Sequence, residues 1–219
     1  MLVDTVCMEP ESSLRERLID VGVDIVMTDG PAFLGLREIA RRAGVSHGAP
    51  RRYFPTHHAL LSAIARRGFE DLASRFGAAA DEGASPRDRL EALARTYLRY
   101  ASEHRGMFEL MFRHDLLHSG ETQPAGRPPL RESTLPLFSH FVELVTCHTA
   151  GRAAAASTAP PAVTAAALWT NLHGVAQLGA WGSLQLALDA ASQGADPDDD
   201  PVDGLLMVVL DAHLGPVNA

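Results

Sequence analysis

The chain has 219 residues, of which 46% are hydrophobic and 21% charged, the composition of one compact domain or of a small domain joined to a larger one. Its net charge is −8, every one of its 19 basic residues is arginine, and its two cysteines, Cys7 and Cys147, sit at no metal-ligand spacing, which reads as two reduced thiols rather than a disulfide framework. The start, MLVDTVCMEP, lacks the basic residues and long apolar core of a secretory signal, and every apolar run is well short of the ~20 residues a membrane-spanning helix needs, so the expected setting is the cytoplasm.

Taken in chain order, the pattern predicts helices throughout. Ser13 and Glu16 fit a capping box, and Leu14, Leu18, Val21 and Ile25 then fall on one helical face that Gly30 and Pro31 bring to an end. A second helix is predicted from Leu36 to Ala43, stopping at Gly44. Ser46 is placed to cap a third, ending near Tyr53. Beyond Pro55, Thr56 caps a fourth that carries Leu60, Leu61, Ile64 and Phe69. The segment AAADEGASP (78–86) marks the domain boundary region. An amphipathic helix over 87–103 follows, then one over 106–118, a Gly/Pro-rich loop over 119–129, and a helix over 130–147 with Leu135, Phe138, Val142 and Val145 as its apolar face. Two more apolar helices, 163–186 and 202–214, flank the acidic stretch ADPDDDP. With no repeat and no alternating strand pattern, the predicted fold is all-α: a small helical domain over 11–70 and a larger helical domain over 71–219.

Charge is unevenly placed along this frame. Between Gly30 and Gly68 there are seven arginines (37, 41, 42, 51, 52, 66 and 67) against one acid, Glu38, leaving about −14 for the remainder. Such asymmetry points to an anion-binding module attached to a domain that does not bind nucleic acid, the alternative being a solvated arginine-rich face. The local pattern favours a helix-turn-helix. Ala40 is small enough for close helix approach, Gly44 supplies a turn with positive φ, Val45 is expected to bury beneath the joint, and the next helix projects its side chains toward a major groove. The surrounding arginines and the helix N-termini suit phosphate oxygens.

The stretch LREIARRAGVSHGAPRRYFPTHHALLSAI carries Ile39, Ala40, Ala43, Gly44, Val45, Ser46 and Gly48 in an I-A-x-x-A-G-V-S-x-G core. It resembles the N-terminal DNA-binding domain of the TetR/AcrR family of bacterial transcriptional regulators. That resemblance covers about Leu14 to Ile64 and implies a homodimer in which each subunit reads one half of a palindromic operator. It assigns the DNA contacts to Arg37, Ser46, His47, Gly48, Arg51, Arg52, Tyr53 and His57, with Arg51 and His47 toward base edges and Arg52, Tyr53 and His57 toward phosphates. Three positions depart from the family habit. Arg51 stands where an aromatic residue is common, His57 where lysine is common, and Gly35 where serine or threonine is common. In the second domain, Trp169, His173 and Gly174 form W-x-x-x-H-G, which resembles a Trp-His-Gly subset of TetR-like regulators. This implies pairing of the last two helices with those of a second subunit, and close helix approach at Gly174. It also implies a ligand cavity enclosed by the helices from Arg87 to Cys147, with Met107, Phe108, Met111, Phe112, Phe138, Trp169 and His173 as its candidate lining; the alternatives are plain core for the Met/Phe stripe and a hydrogen-bonded packing pair at a helix junction for Trp169 and His173. The expected function is a repressor released by a small apolar molecule, with no cofactor and no enzymatic activity.

One motif admits a different chemistry. His114 and His118 lie one helical turn apart with Asp115 beside the first, a partial match to H-E-x-x-H, and two such histidines can share a metal. A zinc site there needs a third ligand that the sequence does not single out. The alternatives are a metal-binding sensor or enzyme and a pair of polar residues at a helix end.

Overall fold

The structure, a computed structural model, describes residues 11–79, 81, 83–117, 129–150, 159–191 and 201–216. Eleven α-helices and two 3₁₀ turns make up the described residues, with no strand among them. They are α1 (Glu11–Thr28), α2 (Leu36–Arg42), α3 (Ala49–Tyr53), α4 (His57–Ala79), α5 (Pro86–Glu103), α6 (Arg105–Met111), α7 (His114–Leu117), α8 (Leu135–Ala150), α9 (Pro161–Ala180), α10 (Ser183–Ala191) and α11 (Pro201–Leu214). The 3₁₀ turns are Pro31–Phe33 and Leu130–Thr134.

Two compact units emerge, one of residues 1–68 and 106–130, the other of 69–105 and 131–219. The chain passes between them inside α4, and the described residues 106–117, placed by sequence in the larger domain, group with the first unit. The reason is local. A Cβ on Gly68 would lie 2.6 Å from Met111 Sδ and 2.8 Å from Met107 Cγ, and one on Gly106 would lie 2.7 Å from the Val26 carbonyl oxygen. Small residues at 68 and 106 therefore let α6 settle on α4 and the end of α1. The core of this unit holds Leu18, Ile25, Ile39, Phe54, Leu60 and Ile64, each essentially without solvent contact. Burial of side chains of this size contributes roughly 1.5–3 kcal/mol apiece.

In the second unit α5, α8 and α9 pack on one another, while α10 and α11 pack against α9. Leu90, Leu93, Tyr97, Phe141, Val145 and Leu168 are buried there. Arg87, itself buried, ties the start of α5 to the end of α11: it donates to the Gly215 carbonyl at 2.8 Å and pairs with Asp211.

Several helix limits differ from those predicted, and proline explains two of them. Helix α1 begins at Glu11, so Ser13 lies inside it rather than capping it, and Glu16 binds Arg15 and Arg67, each at 2.5 Å. Helix α3 starts at Ala49, three residues after Ser46. Pro50 sits in its first turn, where a missing N–H is harmless, and Ser46 only closes a turn by accepting from Ala49 N–H at 2.9 Å. Pro136 acts likewise in α8, and the predicted 130–147 helix splits into a 3₁₀ turn and a helix. The buried face of α8 is Leu137, Phe141, Leu144 and Val145, and Leu135 is exposed. The 106–118 helix breaks at Phe112 and Arg113. Arg113 then binds the Asp115 carboxylate through both Nε, at 3.0 Å, and Nη2, at 2.6 Å. A Trp181–Gly182 turn divides the predicted 163–186 helix into α9 and α10.

Candidate nucleic-acid interface

Helices α2 and α3 stand on either side of a tight turn. Gly44 has φ +67, the left-handed conformation that glycine adopts without strain, and Val45 N–H closes the joint on the Ala40 carbonyl at 3.0 Å. Ala40 is fully buried, as close approach demands. Val45 is only half-buried, contrary to expectation. The chain stays in turn conformation through Gly48, which leaves Val45 at the edge, and the covered side chains at this joint are Ala40, Pro50 and Phe54.

The arginines of this region fall into two groups. Arg41 binds Glu38 through Nε at 2.8 Å and Nη2 at 2.6 Å, and Arg42 binds Glu38 through Nε at 2.7 Å and Asp29 at 2.5 Å. Hydrogen bonds from Arg41, then Arg42, bring the Glu38 carboxyl down to about 2. Arg67 is likewise held by Glu16. Arg37, Arg51 and Arg52 are exposed and have no hydrogen-bond or ion-pair partner among the described residues. Ser46, His47 and Gly48 are also exposed, and Tyr53 is half-exposed. His57, at the first position of α4, has its Nε2 on the Leu34 carbonyl, so a backbone contact holds its ring. The eight residues expected to meet DNA therefore lie together on α2, the turn, α3 and the start of α4, all in the first unit. Their unpaired cations are concentrated at Arg37, Arg51 and Arg52.

The seven residues expected to line a ligand cavity are divided between the units. Met107, Phe108 and Met111 are buried on α6, and the Phe112 ring packs at a tilt against Phe108 with ring centroids 4.8 Å apart. In the second unit Trp169 lies between Phe138 (5.5 Å), Phe141 (5.6 Å) and Tyr97 (6.2 Å). The Tyr97 hydroxyl and His173 Nδ1 share a hydrogen bond of 2.8 Å. Burial raises the pKa of Tyr97 and lowers that of His173, so the pair is neutral near pH 7. Tyr97 was not singled out in the sequence. It belongs to an ordinary apolar face of α5, and its partner is 76 residues away. Around Gly174 nothing lies within 4 Å of where a Cβ would stand, so no described helix of this chain uses that space. A cleft of about 420 Å³ in the second unit is lined by none of the seven.

His114 is exposed on α7, Asp115 is engaged by Arg113, which lowers its pKa, and His118 lies outside the described residues. Among the described residues no three histidine, cysteine, aspartate or glutamate side chains are grouped to hold a metal. No described helix is long and apolar enough to cross a membrane.

A helix-turn-helix with outward arginines, carried in one helical unit and followed by a second all-helical unit, defines the class of protein. Residues 90–196 match the tetracyclin repressor-like C-terminal domain. The HTH-type transcriptional regulator BetI of Rhizobium meliloti (strain 1021) is 35% identical over 92 residues, 42% of this chain and 44% of that protein. The HTH-type transcriptional repressor KstR of Mycolicibacterium smegmatis is 35% identical over 83 residues, 37% of this chain and 40% of that protein. The chain thus matches less than half the length of either relative. A solved structure of a protein with unknown function from Rhodococcus sp. RHA1 is similar along almost all of both chains, 96% and 97%, with 28% identity and a TM-score of 0.71. The chain is thus similar over residues 90–196 to the tetracyclin repressor-like C-terminal domain, and over part of its length to HTH-type transcriptional regulators.

Proposed function

We propose that this chain is a homodimeric transcriptional regulator that represses by binding operator DNA and is released by a small molecule with an apolar body. The observation that carries the reading is the sorting of arginines around Gly44. Arg41 and Arg42 hold Glu38, whereas Arg37, Arg51 and Arg52 face outward unpaired in a chain of net charge −8. Arg51 and His47 then read base edges, with guanidinium suited to the O6/N7 pair of guanine. Arg37, Ser46, Gly48, Arg52, Tyr53 and His57 contact the backbone and set the register. The likeness to a transcriptional regulator and a transcriptional repressor supports the assignment.

The surface of the α9–α11 region supports dimerisation through it. Val163, Leu178, Trp181, Leu186 and Val208 are all exposed, Trp181 at 71% and Leu186 at 73%. Exposed apolar residues gathered on three helices and the turn between α9 and α10 suit a surface that a second subunit covers. In such a dimer the two reading helices must stand about one DNA turn (~34 Å) apart. A ligand acts by favouring a dimer with a different separation, to the extent that it binds that form better. In this reading the Trp169–His173 pair belongs to a Trp-His-Gly type second domain.

The test is fluorescence anisotropy on DNA flanking the protein's own gene across a salt series. One dimer per site, preference over random DNA and a log–log salt slope of several units are expected. Failure to outcompete random DNA, there and in selection from a random pool, overturns the proposal.

A further inference from the structure

The second unit is strongly acidic, with sixteen carboxylates against eight arginines in residues 69–105 and 131–219. Its cleft of about 420 Å³ is nevertheless lined by three arginines, Arg95, Arg99 and Arg105, and one carboxylate, Asp203. Arg95 and Arg99 are one turn apart on α5, with Ser102 on the same face, and Arg105 opens α6. The opposite wall comes from α9, α10 and α11 and is largely apolar, including Val175, Ala176 and Leu206, with Gln185 and Asp203 as its polar members.

The three cations are not equivalent. Arg95 is braced by Glu91, with Nε to Oε1 at 3.1 Å, and by Asp203, which together outweigh its charge and fix its position. Arg99 and Arg105 are exposed, and their guanidinium groups have no partner among the described residues. Two uncommitted guanidinium groups beside an apolar wall match a ligand with one planar anion and a hydrocarbon body. The fork of N–H donors suits a carboxylate, and the volume of the cleft is in the range of small-molecule sites. The Asp203 carboxylate on the rim weighs against a more highly charged head group.

We propose that this cleft binds an amphipathic carboxylate, its head on Arg99 and Arg105 and its chain along Val175, Ala176 and Leu206. The site is separate from the Trp169 aromatic cluster and shares no residue with it. The effect of such a ligand on DNA rests on the regulatory reading above, but the binding itself does not.

Isothermal titration calorimetry of the full chain without DNA tests it directly, using octanoate, 1-octanol and acetate as probes. Octanoate is expected to bind saturably at one per protomer, and each of the other two at least about tenfold more weakly. The double variant R99Q/R105Q changes two exposed, unpartnered side chains, so it is expected to fold as the parent does. It is expected to weaken octanoate about tenfold and leave 1-octanol unchanged. A second variant, Gly179→Leu, fills the cleft from α9, where a Cβ meets nothing within 4 Å, and is expected to abolish binding of both octanoate and 1-octanol while leaving the arginines in place. No binding of octanoate, equal binding of 1-octanol, or octanoate affinity unaltered by R99Q/R105Q would each overturn the proposal. Loss of octanoate binding with operator binding intact, or the reverse, separates this proposal from the regulatory one.

Discussion

Arg41 and Arg51 carry the same charge ten residues apart, yet their surroundings give them different work. Two hydrogen bonds commit Arg41 to Glu38, whereas Arg51 is exposed on α3 without a partner among the described residues. Arg51→Ala is therefore expected to lower operator affinity by more than about 1 kcal/mol, and Arg41→Ala by clearly less. Anisotropy titrations of both variants decide, and equal losses would remove the distinction. Stability at single positions follows backbone contacts in the same way. A Cβ on Gly106 would stand 2.7 Å from the Val26 carbonyl oxygen and 3.2 Å from Pro31 Cδ, neither of which moves easily. Gly106→Ala should destabilise the protein by about 1–3 kcal/mol in urea unfolding. Gly174→Ala meets no atom within 4 Å and, sitting inside α9, should be neutral or gain up to about 1 kcal/mol. Histidine, arginine and glycine identities are plain in a sequence. Which arginine is occupied and which glycine is crowded depends on neighbours such as Asp29, Glu38 and Val26, placed by folding.

Among the elements, α9 joins packing to chemistry. It carries Trp169 into an aromatic cluster, His173 onto Tyr97 of α5, and Gln177 one turn further on, where its Nε2 lies 3.4 Å from His173 Nε2. Burial keeps His173 neutral and lowers its pKa below the ordinary histidine value of about 6.5. The unfolded chain consequently binds this proton more readily than the folded one. The associated stability is fully present above about pH 6.5 and is lost as pH falls from there through the folded-state pKa. Urea unfolding at pH 7.5 and pH 5.5 should show a fall that His173→Gln reduces, and an identical fall in the variant would assign the effect elsewhere. Helix existence was legible from apolar spacing, since Leu18, Ile25, Leu60, Ile64, Leu90 and Leu93 are buried where their periodicity put them. Helix interruption was less so. Pro50 and Pro136 lie in first turns and not in helix interiors, so reading them needed the start points that packing chose. In α8 the apolar residues nearly encircle the helix, and only contact with α5 and α9 decides that Phe141 and Leu144 face inward while Leu135 does not.

At the scale of the molecule the proposed dimer couples the two units' tasks. Leu186 and Val208 are exposed on α10 and α11. A Leu186→Glu/Val208→Glu pair adds two charges to the surface proposed to be shared, without touching either core. Analytical ultracentrifugation should find a monomer with unchanged helix content. Its operator affinity should fall sharply, because one half-site then lacks the second subunit's contacts. A variant that stays dimeric would move the interface off these helices.

The sequence by itself determined the all-helical class, the helix-turn-helix around Gly44 and the concentration of arginine beside it. These depend on residues close in the chain: apolar spacing, a glycine with positive φ, and charges within a few turns. Tertiary structure alone decided that α6 and α7 join the first unit, that Tyr97 meets His173, and that Arg95, Arg99 and Arg105 share a cleft with Val175 and Leu206. Those outcomes join residues tens of positions apart, and local pattern carries no information about which distant helix face will be opposite.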